Sequence, residues 1–242
     1  MTDNKEERSE NGDLIYRHRV SEARSELVSG VSQFTEVIEA HIDKHFKKRG
    51  PVFHEIVSDL VHLDIELIEP TADRPYFTLI TNGMSSRPMN TPKGAEQFQY
   101  AELVLSLPPD WPLTQESFAD ERNYWPIRWL KELARLPHKY NTWLWASHTV
   151  PNGDPPKPFA DNTKLCCALI LFPILVPESF LELEVAPGTT IHFLSFIPIY
   201  KEEMNLKLRK GLDPLLSLLD KAKVNELLNI NRLNTCKRGL FH

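Results

Sequence analysis

The chain has 242 residues, enough for one large domain or two small ones around a sizeable core. Hydrophobic residues make up 41% and charged residues 25%, the balance of an ordinary globular protein. A formal charge of −5 lacks the basic footprint of a nucleic-acid-binding domain.

The first residues, Met1–Asp13, are polar and carry no apolar stretch, so neither a secretory signal nor a packed element is expected there. Residues 1–20 read as a disordered tail. From Ser21 to Lys48, Leu27, Val31, Phe34, Ile38, Ile42 and His45 recur at three- and four-residue spacing, which predicts an amphipathic helix. Ser21 is its expected N-cap, Lys44, Lys47, Lys48 and Arg49 suit its C-terminal dipole, and Gly50-Pro51 ends it. Val61, Leu63, Ile65 and Leu67 alternate with His62, Asp64 and Glu66, a strand whose carboxylates should lie on a solvated face. Strands are further expected at Tyr76–Thr81, Tyr100–Leu107, Leu165–Phe172 and Thr190–Ile199; Leu165–Phe172 is apolar throughout and reads as a central strand. Asn123 can cap a helix over Trp125–Leu136 with Pro126 in its first turn, Asp213-Pro214 opens another, and Val224–Leu228 reads as helical. Residues 21–230 form one expected domain and 231–242 a frayed tail. Strands in succession, with helices at the ends and one between, give an α+β fold with a mainly antiparallel or mixed sheet flanked by helices. Nineteen prolines against nine glycines predict short strands and long, stiff loops.

The longest apolar run, Leu165–Pro177, is too short to span a bilayer, so no membrane partner is expected. Three cysteines, two of them adjacent, make no disulfide framework and suit a reducing cytoplasm. No phosphate loop, dinucleotide fingerprint, nucleophile elbow or metal-ligand spacing occurs, so no cofactor, metal or catalytic residue is assigned.

Three segments concentrate Gly, Asn, Arg, Pro and Trp at the ends of apolar runs, where sites are built. The first, Thr78–Met89, offers Met84, Ser85, Arg87 and Met89 after an Asn-Gly turn; methionine adapts to partner surfaces and arginine presents five donors. The second, Ala101–Trp111, supplies Glu102 and Trp111. The third, Trp125–Gly153, supplies Trp143, His148 and Thr149. The competing structural reading pairs Arg87 with a loop carbonyl or Glu102, and has His148 holding its own turn. Trp125 and Trp129 share a helix face and belong to the core, whereas Trp143 and Trp145 fall on one strand face and one of them could line a groove.

Taken together, Thr81-Asn82-Gly83-Met84-Ser85 with Arg87-Pro88-Met89, Ala101-Glu102-Leu103, Leu107-Pro108-Pro109-Asp110-Trp111, Trp125-Pro126 with Leu133-Ala134-Arg135, and His148-Thr149-Val150-Pro151-Asn152-Gly153 resemble the suppressor-of-fused domain, over about Phe53–Tyr200. The resemblance is to stand-alone bacterial members rather than to the longer animal protein that restrains a transcription factor. It implies a cytoplasmic, non-enzymatic domain that binds a protein partner, in a toxin-immunity or regulatory setting, through Met84, Ser85, Arg87, Met89, Glu102, Trp111, Trp143, His148 and Thr149. Edge-strand pairing is one mode. An alternative is an enzyme with a pocket around His148, Arg87 and Glu102; a third is a scaffold assembled through the Ser21–Lys48 helix. Ser147 stands where many relatives would carry glycine.

Overall fold

The computed structural model describes residues 7–19, 22–28, 32–55 and 58–237. In chain order the strands and helices are β1 (Glu7–Arg8), β2 (Leu14–Ile15), β3 (Leu27–Val28), α1 (Thr35–His45), β4 (Ser58–Asp59), β5 (Asp64–Ile68), β6 (Phe77–Asn82), β7 (Tyr100–Leu107), α2 (Glu121–Tyr140), β8 (Thr149–Pro151), β9 (Cys167–Leu171), β10 (Glu182–Ala186), β11 (Thr189–Ile199), α3 (Lys201–Lys210) and α4 (Leu212–Lys221). Seven strands form one mixed sheet in the order β5-β6-β7-β11-β9-β8, with β10 also on β11. β11 runs parallel to β7 along Ile191–Ser195, and its C-terminal half pairs antiparallel with β9. The α+β architecture expected from the sequence is the one observed.

Strand alternation divides the core between the two faces. Leu103, Leu105, Ala168 and Ile170 point to the side covered by α2, where Trp125, Trp129, Leu130 and Leu133 meet them. Ile80, Val104, Ile191 and Phe193 point the other way, against Ile38 and Ile42 of α1. Cys167, Leu169, Ile197 and Ile199 continue that second side and pack on Met204, Leu215 and Leu219 of α3 and α4.

The helix expected over Ser21–Lys48 contracts to α1. Leu27, counted in its stripe, lies exposed in β3, which pairs with β4; Ser21 and Val31 lie outside the described residues. The Asp59 carboxylate accepts the Glu26 N–H at 2.8 Å and Leu60 N–H donates to Glu26 O at 2.8 Å, so strand pairing captures this segment before a helix can. Asp64 and Glu66 also depart from expectation, both being buried. The chain after α1 runs along β5, with Gly50 N–H on Leu67 O and Phe53 paired with Ile65, and Arg49 follows Glu66 inward to 2.5 Å. A carboxylate beneath a covered edge is retained because a partly buried guanidinium pairs with it.

α2 begins earlier than expected. Asp120 is its N-cap, accepting Arg122 N–H at 2.9 Å, while Asn123 lies inside the helix and donates to Ser117 O. Pro126 is therefore beyond the first turn, and it cannot donate to Arg122 O, four residues back. Asn162 Nδ2 donates to that carbonyl instead, at 3.1 Å, so the lost bond is replaced from outside the helix.

Two C-terminal readings also change. Val224–Leu228 is extended rather than helical, with Leu227 bridged to Ser106 and Leu228 N–H on Ser106 O at 2.8 Å. Arg232, expected in a polar tail, is drawn onto the buried Glu203 through two bonds of 2.7 and 2.6 Å. Unforeseen in the sequence are α3, β8, β10 and the short hairpin β1–β2.

Gly83 ends β6 with φ 133, and a Cβ there would stand 2.0 Å from the His62 carbonyl oxygen. Gly83→Ala should therefore cost more than about 3 kcal/mol, from a forbidden backbone region and a clash with main chain that cannot move. Urea unfolding checks this; a variant within about 1 kcal/mol of the parent would contradict it.

Candidate functional site: one end of the sheet

The parallel β7–β11 pair and the antiparallel pairs around it put the C-terminal ends of β6 and β9 at the same end of the sheet as the N-terminal ends of β7, β8 and β11. Two connections meet there, residues 83–99 and residues 141–148 after α2, joined by Asn90 N–H on Thr142 O, and the chain leaving β9 places Phe172 against the second. Most of the residues singled out in the sequence lie here. Trp111 does not, because it follows the opposite end of β7, where its indole N–H donates to Asn123 O at 3.0 Å.

Glu102 organises the first connection. It is completely buried, and its carboxylate accepts from Thr81 Oγ1 (2.5 Å), Gly83 N–H (3.0 Å), Met84 N–H (3.3 Å), Ser85 N–H (2.9 Å) and Ser85 Oγ (2.6 Å). Thr81 Oγ1 in turn accepts Leu103 N–H at 2.7 Å, taking a place a backbone carbonyl would hold in a regular ladder. Paired residues between β6 and β7 stop at Ile80 and Val104, and the carboxylate fills the space where the strands part. Burial pushes the Glu102 carboxyl above the ordinary range, while the Ser85 and Thr81 hydroxyls and the Ser85 and Gly83 amides pull it back. The chain leaves in a 3-10 turn, Met84–Ser86, and Met84 O accepts from His138 Nε2 of α2 at 2.9 Å. Met84, Ser85, Met89 and Glu102 are thus all buried, so they shape the surface from beneath instead of presenting themselves. Arg87 stays half-exposed, its guanidinium 2.8 Å from the Glu26 carboxylate rather than on Glu102.

In the second connection, Ser147 holds φ 75, the left-handed conformation a glycine would adopt without strain. Trp143 and Trp145 lie in this loop, not on a strand. His148 Nδ1 accepts Trp145 N–H at 3.3 Å and its ring meets Trp143 edge-on at 4.7 Å. Burial, with the Lys207 charge adding to it, lowers the His148 pKa from 6.5 to about 4, so the ring is neutral near pH 7. A neutral Nδ1 acceptor is what closing this turn requires. Thr149 opens β8, which ends the sheet. Ile170 N–H bonds His148 O and Asn152 N–H bonds Cys166 O, so the even-numbered residues face β9 and the backbone of Thr149 and Pro151 faces outward.

Sequence reasoning missed the cluster at the centre. The Trp145 ring is 4.2 Å from Phe98, 4.9 Å from His192 and 5.9 Å from Phe172, centroid to centroid. Phe172 is 46% exposed and Ile174 71% exposed. Pro173, between them, was the available signal that the apolar run leaves the sheet before it ends. The backbone just beyond Phe172 is anchored: the buried Glu226 accepts the N–H of Ile174 at 2.8 Å and of Leu175 at 2.6 Å.

The sequence profile described as Suppressor of fused protein (SUFU) matches residues 59–233. The chain belongs to the suppressor of fused family. Its fold is similar to that of a SUFU homologue from Neisseria gonorrhoeae, at 18% identity and TM-score 0.62 over 85% of this chain and 98% of that one. A chain of the Sufu–Fu complex matches at 13% identity and TM-score 0.60, covering 85% of this chain and 93% of its own. Suppressor of Fused from Drosophila matches at 12% identity and TM-score 0.56, over 86% of this chain and 52% of its own length. No curated protein matches. Among the described residues of this family member, no helix is long and apolar enough to cross a membrane.

Two outcomes test the buried groups. Glu102→Gln keeps the shape but turns an amide NH2 toward donors, and should lower unfolding free energy by about 2–4 kcal/mol; a loss below about 0.5 kcal/mol in urea would contradict the role given to Glu102. For His148, the unfolded chain takes up a proton between pH 6.5 and about 4 that the folded chain refuses, so stability is complete above 6.5 and falls as pH drops through that window. His148→Asn, which keeps an acceptor for Trp145 N–H, should remove a share of about 2–3 kcal/mol of the loss between pH 7 and pH 4. Parallel pH profiles for parent and variant would contradict it.

Proposed function

We propose that this suppressor-of-fused domain is a non-enzymatic protein-binding module that docks its partner on the aromatic end of the sheet. The exposure of Phe172 beside the Trp145 cluster, with the exposed Ile174 two residues on, carries the reading. Apolar side chains already exposed on a backbone anchored by a buried carboxylate are preformed, and binding then costs little ordering. A large aromatic surrounded by apolar neighbours is the usual energetic centre of a protein interface. His148 and Trp143 brace the Trp145 loop, Arg87 lies in the neighbouring connection, and the outward backbone of Thr149 offers a short length of strand edge; Pro151 lacks an N–H and limits how far pairing could extend. Trp111 falls outside this surface. One similar structure is that of a Sufu–Fu complex, which fits a family whose members bind proteins. A regulatory or toxin-immunity setting in a reducing cytoplasm suits the family resemblance and the unpaired cysteines. The enzymatic alternative gains nothing from Glu102, whose oxygens are engaged by its own loop.

Phe172→Asp with Ile174→Asp should abolish affinity capture of the partner from the native cell, by at least about a hundredfold in affinity for two interface anchors. The melting midpoint should stay within a few degrees, because both side chains are already exposed. Undiminished capture by a folded double variant would refute the docking surface.

A further inference from the structure

The segment Glu7–Arg19 crosses from one face of the sheet to the other. Its hairpin lies on α3, where Asn11 N–H donates to Leu208 O at 3.1 Å and the Asp13 carboxylate meets Lys207 Nζ at 3.3 Å. Arg17 then reaches Asp154, beyond the end of β8, at 2.8 Å. His18 stacks on Tyr140, at the end of α2, with ring centroids 4.8 Å apart. Since α2 and α3 cover opposite faces, a segment touching both, and Asp154 between them, wraps the outer side of β8.

Its attachment is polar and shallow. Leu14 and Tyr16 remain nearly half exposed, the Arg17 pairs with Glu7 and Asp154 are open to water, and a groove of about 550 Å³ lined by Glu10, Leu208, Arg209 and Cys236 runs along the seam with α3. Exposed pairs of this kind contribute little. Lys207 is the exception. Its side chain is 8% exposed and reaches Asp13. A nearly buried ammonium needs an anion, so whatever replaces the hairpin must bring one.

We propose that Glu7–Arg19 is a displaceable strap that occupies, within the same chain, the position taken by an extended acidic segment of the partner. The incoming carboxylate replaces Asp13 on Lys207, and the segment runs along β8 toward the aromatic patch. The inference rests on the docking surface above, extending it to the β8 edge and giving the partner an acidic character.

The test uses the full chain carrying Asp13→Asn and Arg17→Ala, with a fluorescein-labelled peptide of the sequence Glu7–Arg19 as probe. Fluorescence anisotropy should show the probe binding this double variant about tenfold more tightly than the parent, since the loosened strap competes less. Adding Lys207→Met, which keeps the buried stem and removes the charge, should erase that gain. Amide exchange at Asn11 should quicken in the double variant while the melting midpoint holds. Equal probe binding by parent and double variant would overturn the strap, as would a gain that survives Lys207→Met or an Asn11 amide equally protected in both. Phe172→Asp with Ile174→Asp should leave probe binding intact, so the strap and the aromatic patch fail separately.

Discussion

The Glu102 carboxylate is the constraint on which the site depends. A buried carboxylate is costly unless donors surround it, and here three backbone amides and two hydroxyls do so. The donors are not free to be elsewhere. They come from the residues that end β6 and start the following turn, so meeting the electrostatic demand of one side chain fixes the path of residues 83–86. That path sets Met84 O against His138 and Asn90 N–H against Thr142 O, which joins the loop to the end of α2. The position of residues 141–148, and of Trp145 among them, follows from that junction.

The same device recurs. Glu203 accepts from Tyr200 N–H and Thr235 N–H while pairing with Arg232, and so ties the C-terminal segment to the start of α3. Glu226 takes the amides of Ile174 and Leu175. Glu55 receives Lys131 and Arg135 from α2, which holds the connection before β5 against the helix. In a fold with many prolines and few glycines, loops have fewer backbone bonds of their own to close on. Internal carboxylates supply the missing acceptors. The outer surface is then anchored beneath an aromatic cluster at the sheet end, with Phe172 exposed at its edge.

Periodicity made the central elements legible. β7 is found at the residues predicted for it, and β6, β9 and β11 within a residue or two, because each buries side chains on both faces and carries an apolar signal that loops lack. Long-range pairing was not legible. Leu27 fits a helical stripe, but Asp59, distant in sequence, captures its segment into a strand pair. Asp64 and Glu66 look like a solvated face until Arg49 and residues 50–53 cover the edge. The site was half visible. Arg87, Trp143, His148 and Thr149, drawn from separate segments, lie at one end of the sheet, and Ser147 holds the glycine-like conformation its position suggests. Met84, Ser85 and Glu102 were recognised as special for the wrong reason: a buried polar constellation and a binding loop have similar compositions in one dimension. Phe172 and Ile174 were hidden because an apolar run does not tell which of its members leave the sheet.

Native-state hydrogen exchange at Gly83, Met84 and Ser85 tests the central claim most directly. If Glu102 locks this turn into the core, these amides exchange only with global unfolding, and their opening free energies equal that of the β7 amides. Exchange through local opening, several kcal/mol easier than for β7, would show that the turn is an ordinary surface loop and that the carboxylate does not organise the site.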